Sequence, residues 1–245
     1  MPLPQIVAPT YELTLPSNGL VVKYRPFLVK EEKILLMALE GGEEKEMVDA
    51  VRQIVGSCSI TKLDVDELPT FDLEYFFLKL RMRSVGEVVE VPYRCQSRID
   101  NKVCGNVVRM EVNLGDVEVE KVENNPVIML TESIGIKLRY PRVELLRKVN
   151  EVRSKGKKSS TIEGALSLIA QCVDQIFDAE NSWDRGSMSL KEIADFLDNL
   201  TQNQFAKIQE FFDNMPVLRH VVKFDCDVCG YQEDIVLEGM ESFFV

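Results

Sequence analysis

The sequence predicts an α+β fold, mainly helical, with an N-terminal β-hairpin and a small β element interrupted by a helical insertion. Three observations carry this. Apolar residues recur at helical spacing in several stretches, they alternate with period two in others, and two matched cysteine pairs sit in the alternating stretches on either side of a helix-rich segment. The pairs are Cys95 with Cys104 and Cys226 with Cys229; an aromatic (Tyr93, Phe224) lies two residues before the first cysteine of each, and a glycine (Gly105, Gly230) directly follows the second. Cys-x2-Cys spacing lets two thiolates face one ion, and the glycine permits the positive φ that turns backbone N–H groups toward sulfur. Two such knuckles supply four thiolates, a closed tetrahedral set suited to structural Zn2+, so the β element is expected to be zinc-ribbon-like. The eight residues between Cys95 and Cys104 are more than an ordinary knuckle holds.

Taken in order, Tyr11, Leu13 and Leu15 alternate before Ser17-Asn18-Gly19, and Leu20, Val22 and Tyr24 alternate after it, which predicts a hairpin over 11–27 with Asn-Gly at the turn. A helix is expected from Val29 to about Leu39, with Glu31 and Glu32 in its first turn and Gly41-Gly42 as its stop. A second covers Glu43 to Ser57, with Cys58 at its end as a small buried apolar residue. After an acidic linker, Thr70 opens a third helix through about Arg83, whose Phe71, Tyr75, Phe76 and Phe77 read as core.

Beyond Gly86 the period changes to two, giving strands up to Cys95, after Cys104-Gly105 and over Ile134–Tyr140. Pro141 opens a helix to about Val152, and Arg153–Ser160 is a basic solvated loop that lacks the first glycine of a phosphate-binding pattern. Capping boxes at Ser160/Glu163, Ser189/Glu192 and Thr201/Gln204 start helices over about 161–177, 190–199 and 202–214. Cys172 is expected as a buried thiol, and the acidic run near Asp178 fails the calcium-loop pattern because Trp183 stands where glycine is required. Strands return on both sides of the second knuckle, before an apolar tail. Three units are therefore expected: residues 1–86, residues 87–140 together with 217–245, and the helical insertion 141–216.

Composition narrows function. The 245 residues carry a net charge of −11, which disfavours nucleic acid and anionic membrane because phosphate binding is driven by lysine and arginine. Neither a signal peptide nor a membrane span is expected, and in a reducing cytosol six cysteines read as metal ligands or buried thiols. His220, the only histidine, lies in a strand-like stretch and reads as structural; no nucleophile elbow or dinucleotide fingerprint is present. The expectation is a non-enzymatic protein without catalytic residues. Two other classes stay open at this point: a zinc-ribbon regulator that binds nucleic acid or polymerase, and a metalloenzyme, which would need an open ligand position.

Leu15-Pro16-Ser17, Gly19, Tyr24-Arg25-Pro26-Phe27, Glu31-Glu32-Lys33, Leu35-Leu36 and Ala38 carry more information than a hairpin and helix require. Together with Pro69-Thr70-Phe71-Asp72, the aromatic helix after it and a cysteine-containing C-terminal section ending in Phe243-Phe244, they resemble the baseplate hub subunit family of T4-like contractile-tailed bacteriophages. That resemblance implies a protein made in the infected host's cytoplasm and used in the viral tail baseplate, as a hub component or a hub-assembly factor. Its partners would be other tail and hub proteins, including those that organise the tape measure. Tyr24, Arg25, Phe27, Glu31 and Glu32 are then interaction candidates, against the alternative that Tyr24 and Phe27 are core and the charges cap the helix.

Overall fold

The computed structural model describes residues 7–99, 102–120, 124–145 and 161–243. An antiparallel hairpin, β1 (Tyr11–Thr14) with β2 (Val21–Tyr24), opens the chain. Its turn closes as the Asn-Gly pair requires: Gly19 takes φ 72° and the Asn18 carboxamide accepts the Leu20 N–H at 2.9 Å. Helix α1 (Val29–Gly41) ends at Gly42 with φ 68°, and α2 (Glu44–Cys58) and α3 (Thr70–Ser84) follow.

Helix α3 is the organising element, because it is buried on two faces. Leu73, Phe76, Phe77 and Leu80 pack with the hairpin and α2 in one apolar cluster, while Phe71 and Leu78 belong to a second. A helix serving two cores is apolar around most of its circumference, so its aromatics are core. Two polar contacts fix its position. Fully buried Asp72 accepts the Ser17 backbone N–H at 3.1 Å and the Ser17 hydroxyl at 2.5 Å, which ties the hairpin turn to the start of α3. The Lys79 ammonium donates to the carbonyls of Leu114, Gly115 and Val117 at 3.1–3.2 Å.

The second cluster joins α3 to two hairpins. Strand β3 (Val88–Arg94) pairs antiparallel with β6 (Val107–Asn113), and between them lies a small hairpin of β4 (Arg98–Ile99) and β5 (Lys102–Val103). Farther along, β7 (Glu118–Glu120) flanks β12 (Val217–Asp225), which pairs on its other side with β13 (Gln232–Glu238). A third cluster holds β8 (Val127–Met129), β9 (Gly135–Leu138), α4 (Thr161–Cys172), β10 (Val173–Phe177), α5 (Leu190–Asp198) and α6 (Gln202–Asp213); β11 (Ser182–Asp184) completes its sheet in the order β11-β10-β9-β8. Tyr140 bridges the second and third clusters, edge-on to Phe71 and stacked on Phe211.

The fold is α+β with the expected hairpin, helices and cysteine-flanked insertion. One element departs from expectation. The helix expected over 161–177 ends at Cys172, and the last five residues form β10. Val173 and Ile176 suit a helical face as well as a strand, and pairing with β9 decides: Ile176 stands opposite Ile136, and both are buried. The Phe177 ring lies so close to Gly135 that a Cβ there would meet it at 2.2 Å. The helix expected from Pro141 falls largely outside the described residues, as do the basic loop and the Ser160 cap. The boxes at Ser189/Glu192 and Thr201/Gln204 form as expected.

Candidate metal centre

Each pair of cysteines is delivered by an antiparallel hairpin, β3/β6 for the first and β12/β13 for the second. The strand ends close by the same hydrogen bonds. Cys95 N–H donates to the Asn106 carbonyl at 2.8 Å and Gly105 N–H to the Cys95 carbonyl at 3.1 Å; Cys226 N–H donates to Tyr231 at 2.9 Å and Gly230 N–H to Cys226 at 2.8 Å. Gly105 and Gly230 take φ 68° and 69°, the left-handed conformation both turns need. The two aromatics that mark the knuckles in sequence meet in space: the Tyr93 and Phe224 rings lie 5.0 Å apart, edge to face.

All four sulfurs lie within 4.8 Å of one another. Two contacts cross from one knuckle to the other, Cys95 to Cys229 at 3.6 Å and Cys104 to Cys226 at 3.9 Å. These distances far exceed a disulfide bond, and all four thiols are free. Around a tetrahedral zinc with Zn–S bonds of 2.3 Å, sulfurs stand about 3.8 Å apart, so the donor set fits such an ion in both chemistry and spacing. Cys95 and Cys226 are fully buried, and their partners are half-buried.

Two further side chains reach the sulfurs. The Ser97 hydroxyl is 3.1 Å from Cys229 Sγ and 3.3 Å from Cys95 Sγ, and the Asn106 amide reaches Cys226 Sγ at 3.7 Å while donating to Asp227 at 2.7 Å. Sequence reasoning passed over both, although Asn106 follows Gly105 in the slot that Tyr231 fills after Gly230. The thiols differ in acidity. Burial pushes Cys226 up, but the N–H groups of Cys229 and Val228, with the Cys229 thiol and the Asn106 amide, outweigh it and bring it down to about 6. The Asn106 N–H draws Cys104 down, yet burial and the three neighbouring thiols leave it at about 11. Crowded thiols behave this way because the first charge opposes the next, and a cation relieves that opposition.

The remaining candidates lie elsewhere. Cys58 and Cys172 are buried single thiols, which burial pushes up to about 11 and about 12. His220 is half-buried on β12, opposite Leu237. Tyr24, Phe27 and Glu31 are buried, and the Arg25 guanidinium donates to Glu31 at 2.9 Å and to the carbonyls of Pro26 and Ser57. These residues hold the hairpin, α1 and α2 together, so the alternative of core and cap describes them; Glu32 is half-buried.

A family model described as T4 bacteriophage base plate protein matches residues 8–245. The chain belongs to that family. No curated protein and no solved structure matches it. As a baseplate protein it is a non-enzymatic component of phage tail assembly that works through protein–protein contacts. The baseplate protein also has, among its described residues, no helix long and apolar enough to cross a membrane.

Proposed function

We propose that this baseplate protein is a component or an assembly factor of the central hub, and that its four cysteines hold a structural zinc ion. The observation that carries the metal reading is the crossing of the sulfur contacts. Cys95 and Cys104 would bind the ion from one hairpin and Cys226 and Cys229 from the other, joining the middle of the chain to a segment 122 and 134 residues away. Four thiolates leave no position for water, so the ion would supply folding energy and no hydrolytic chemistry. The partners in this reading are other hub proteins, including those that organise the tape measure, met first in the host cytoplasm and then in the tail.

Metal analysis of the purified protein tests the first part: zinc near one ion per chain is expected, lost in a Cys226→Ser/Cys229→Ser variant. Protein without zinc, or with iron in its place, would sink it. Antibody detection of the chain in hub intermediates and in mature tails tests the second. Presence in both makes it a structural subunit, presence in intermediates alone makes it an assembly factor, and absence from both rejects the hub.

A further inference from the structure

Helix α1 presents an apolar face that its own chain leaves uncovered. Among the described residues it packs chiefly against α2, with Ala38 and Glu31 buried and Leu35 half-buried against the first cluster. On the opposite face Val29 is 67% exposed, Leu36 52% and Met37 71%, with Leu39 at 48% on its flank. Val29, Lys33, Leu36 and Glu40 recur at i, i+4, i+7 and i+11, so they form one stripe along the helix. An apolar stripe edged by charge marks a contact surface.

The charges along the stripe decide what fits it. Lys30 and Lys33 lie toward the start of the helix, and Glu40, Glu43 and Glu46 lie at and beyond its end, all exposed; the half-buried Glu32 and Lys45 depart from this order. Lys30 pairs with Glu31 at 3.4 Å, whereas Lys33 and Glu40 have no ion pair among the described residues. Lys33 and Glu40 are also placed symmetrically about the midpoint between Leu36 and Met37. A second α1 laid antiparallel across that midpoint brings each Lys33 to the partner's Glu40, each Leu36 to the partner's Met37, and the basic start over the acidic end. A parallel pair would set lysine on lysine and glutamate on glutamate. We propose that α1 is the seat of a second copy of this chain, the two helices antiparallel about a twofold axis. The charge order selects a copy over an unrelated protein, because the stripe complements itself when reversed, and its Lys33 and Glu40 cancel in a chain whose net charge of −11 otherwise opposes self-association. Neither the hub assignment nor the zinc ion bears on this pairing.

The test uses the full chain as wild type, Lys33→Glu, Glu40→Lys, the double variant Lys33→Glu/Glu40→Lys, and Leu36→Gln, read by sedimentation velocity from low to high micromolar protein at low salt. Wild type should show a monomer–dimer equilibrium with a micromolar dissociation constant, since a contact through one helix lies at the small end of specific interfaces. Each single charge reversal spoils both symmetry-related contacts and should weaken the dimer about tenfold. The double variant exchanges the signs and should return to the wild-type constant, while Leu36→Gln should weaken the dimer at least as much as either reversal. Far-ultraviolet circular dichroism should be the same for all of these proteins, because Lys33, Leu36 and Glu40 are exposed. A wild-type chain that stays monomeric throughout leaves the stripe to a different protein and overturns the proposal. A dimer that none of the substitutions weakens forms through another surface and overturns it, as does growth into open-ended assemblies, which a closed twofold pair forbids. A double variant as weak as the single reversals rejects the antiparallel order and with it the proposal.

Discussion

Stripping metal from the thiol cluster should cost more than any single contact in the protein. The ion would cross-link residues 122 and 134 positions apart. Closing a loop of that length removes about 5 kcal/mol of conformational freedom from the unfolded chain, against a total stability of about 5–15 kcal/mol for a folded domain. With a urea dependence of about 3 kcal/mol per molar, the unfolding midpoint should fall by about 1.5 M on adding a strong chelator. Far-ultraviolet circular dichroism reads the whole chain, and Trp183, the only tryptophan, reads the third cluster through β11. If the clasp braces the second cluster in particular, the dichroism transition moves further than the Trp183 fluorescence transition. A midpoint that shifts by less than about 0.3 M, with zinc shown to have been removed, would refute the reasoning, because the β hairpins would then be holding each other without the ion.

Three other outcomes are expected. Asp72→Ala leaves the Ser17 N–H and hydroxyl without their buried acceptor and should destabilise by about 2 kcal/mol, whereas Asp72→Asn keeps an acceptor. Burial raises the Asp72 carboxyl above its ordinary 3.8 even though the Ser17 hydrogen bonds pull it down, so its contribution is full below that value and is lost as pH rises through the folded pKa; urea melts should therefore show Asp72→Asn gaining on wild type from pH 4 to 7. Phe76→Ala opens a cavity where a fully buried ring sits edge-on to Tyr24, and thermal melts should register a loss of about 3–5 kcal/mol. Iodoacetamide followed by peptide mass spectrometry should label the half-buried Cys229 in chelated, folded protein and spare Cys58 and Cys172, both buried and held far above neutral pH.

The sequence was most readable where local chemistry and tertiary demand agree. The Asn18-Gly19 turn, the Gly42 stop and the caps at Ser189 and Thr201 all depend on hydrogen bonds within a few residues, and each forms. The cysteine cluster was legible across a far greater distance because Tyr93 and Phe224, with the two glycines, repeat the same local solution twice. Where pairing partners decide, the pattern was silent. Val173 and Ile176 fit a helix or a strand, and only β9 beside them settles it; β7 and β8, three residues each, are too short to establish a period. The first spacer was opaque for a related reason, since a hairpin of two-residue strands leaves no alternation to read. Arg25 and Glu31 show the opposite failure: a conspicuous surface-type pair whose partners lie within its own fold.

The distance between the knuckles also has a temporal side. Ribosomes add about 5–20 residues per second, so the 122 residues that separate Cys104 from Cys226 place on the order of ten seconds between the appearance of the first thiol pair and the second. If the four thiols hold the proposed ion, Cys95 and Cys104 would supply only two of its four donors throughout that interval. Chains interrupted before Cys226 could never complete the set. Closure would thus register that synthesis has passed the end of the insertion, and a baseplate that accepts only closed subunits would reject truncated ones without a separate inspector.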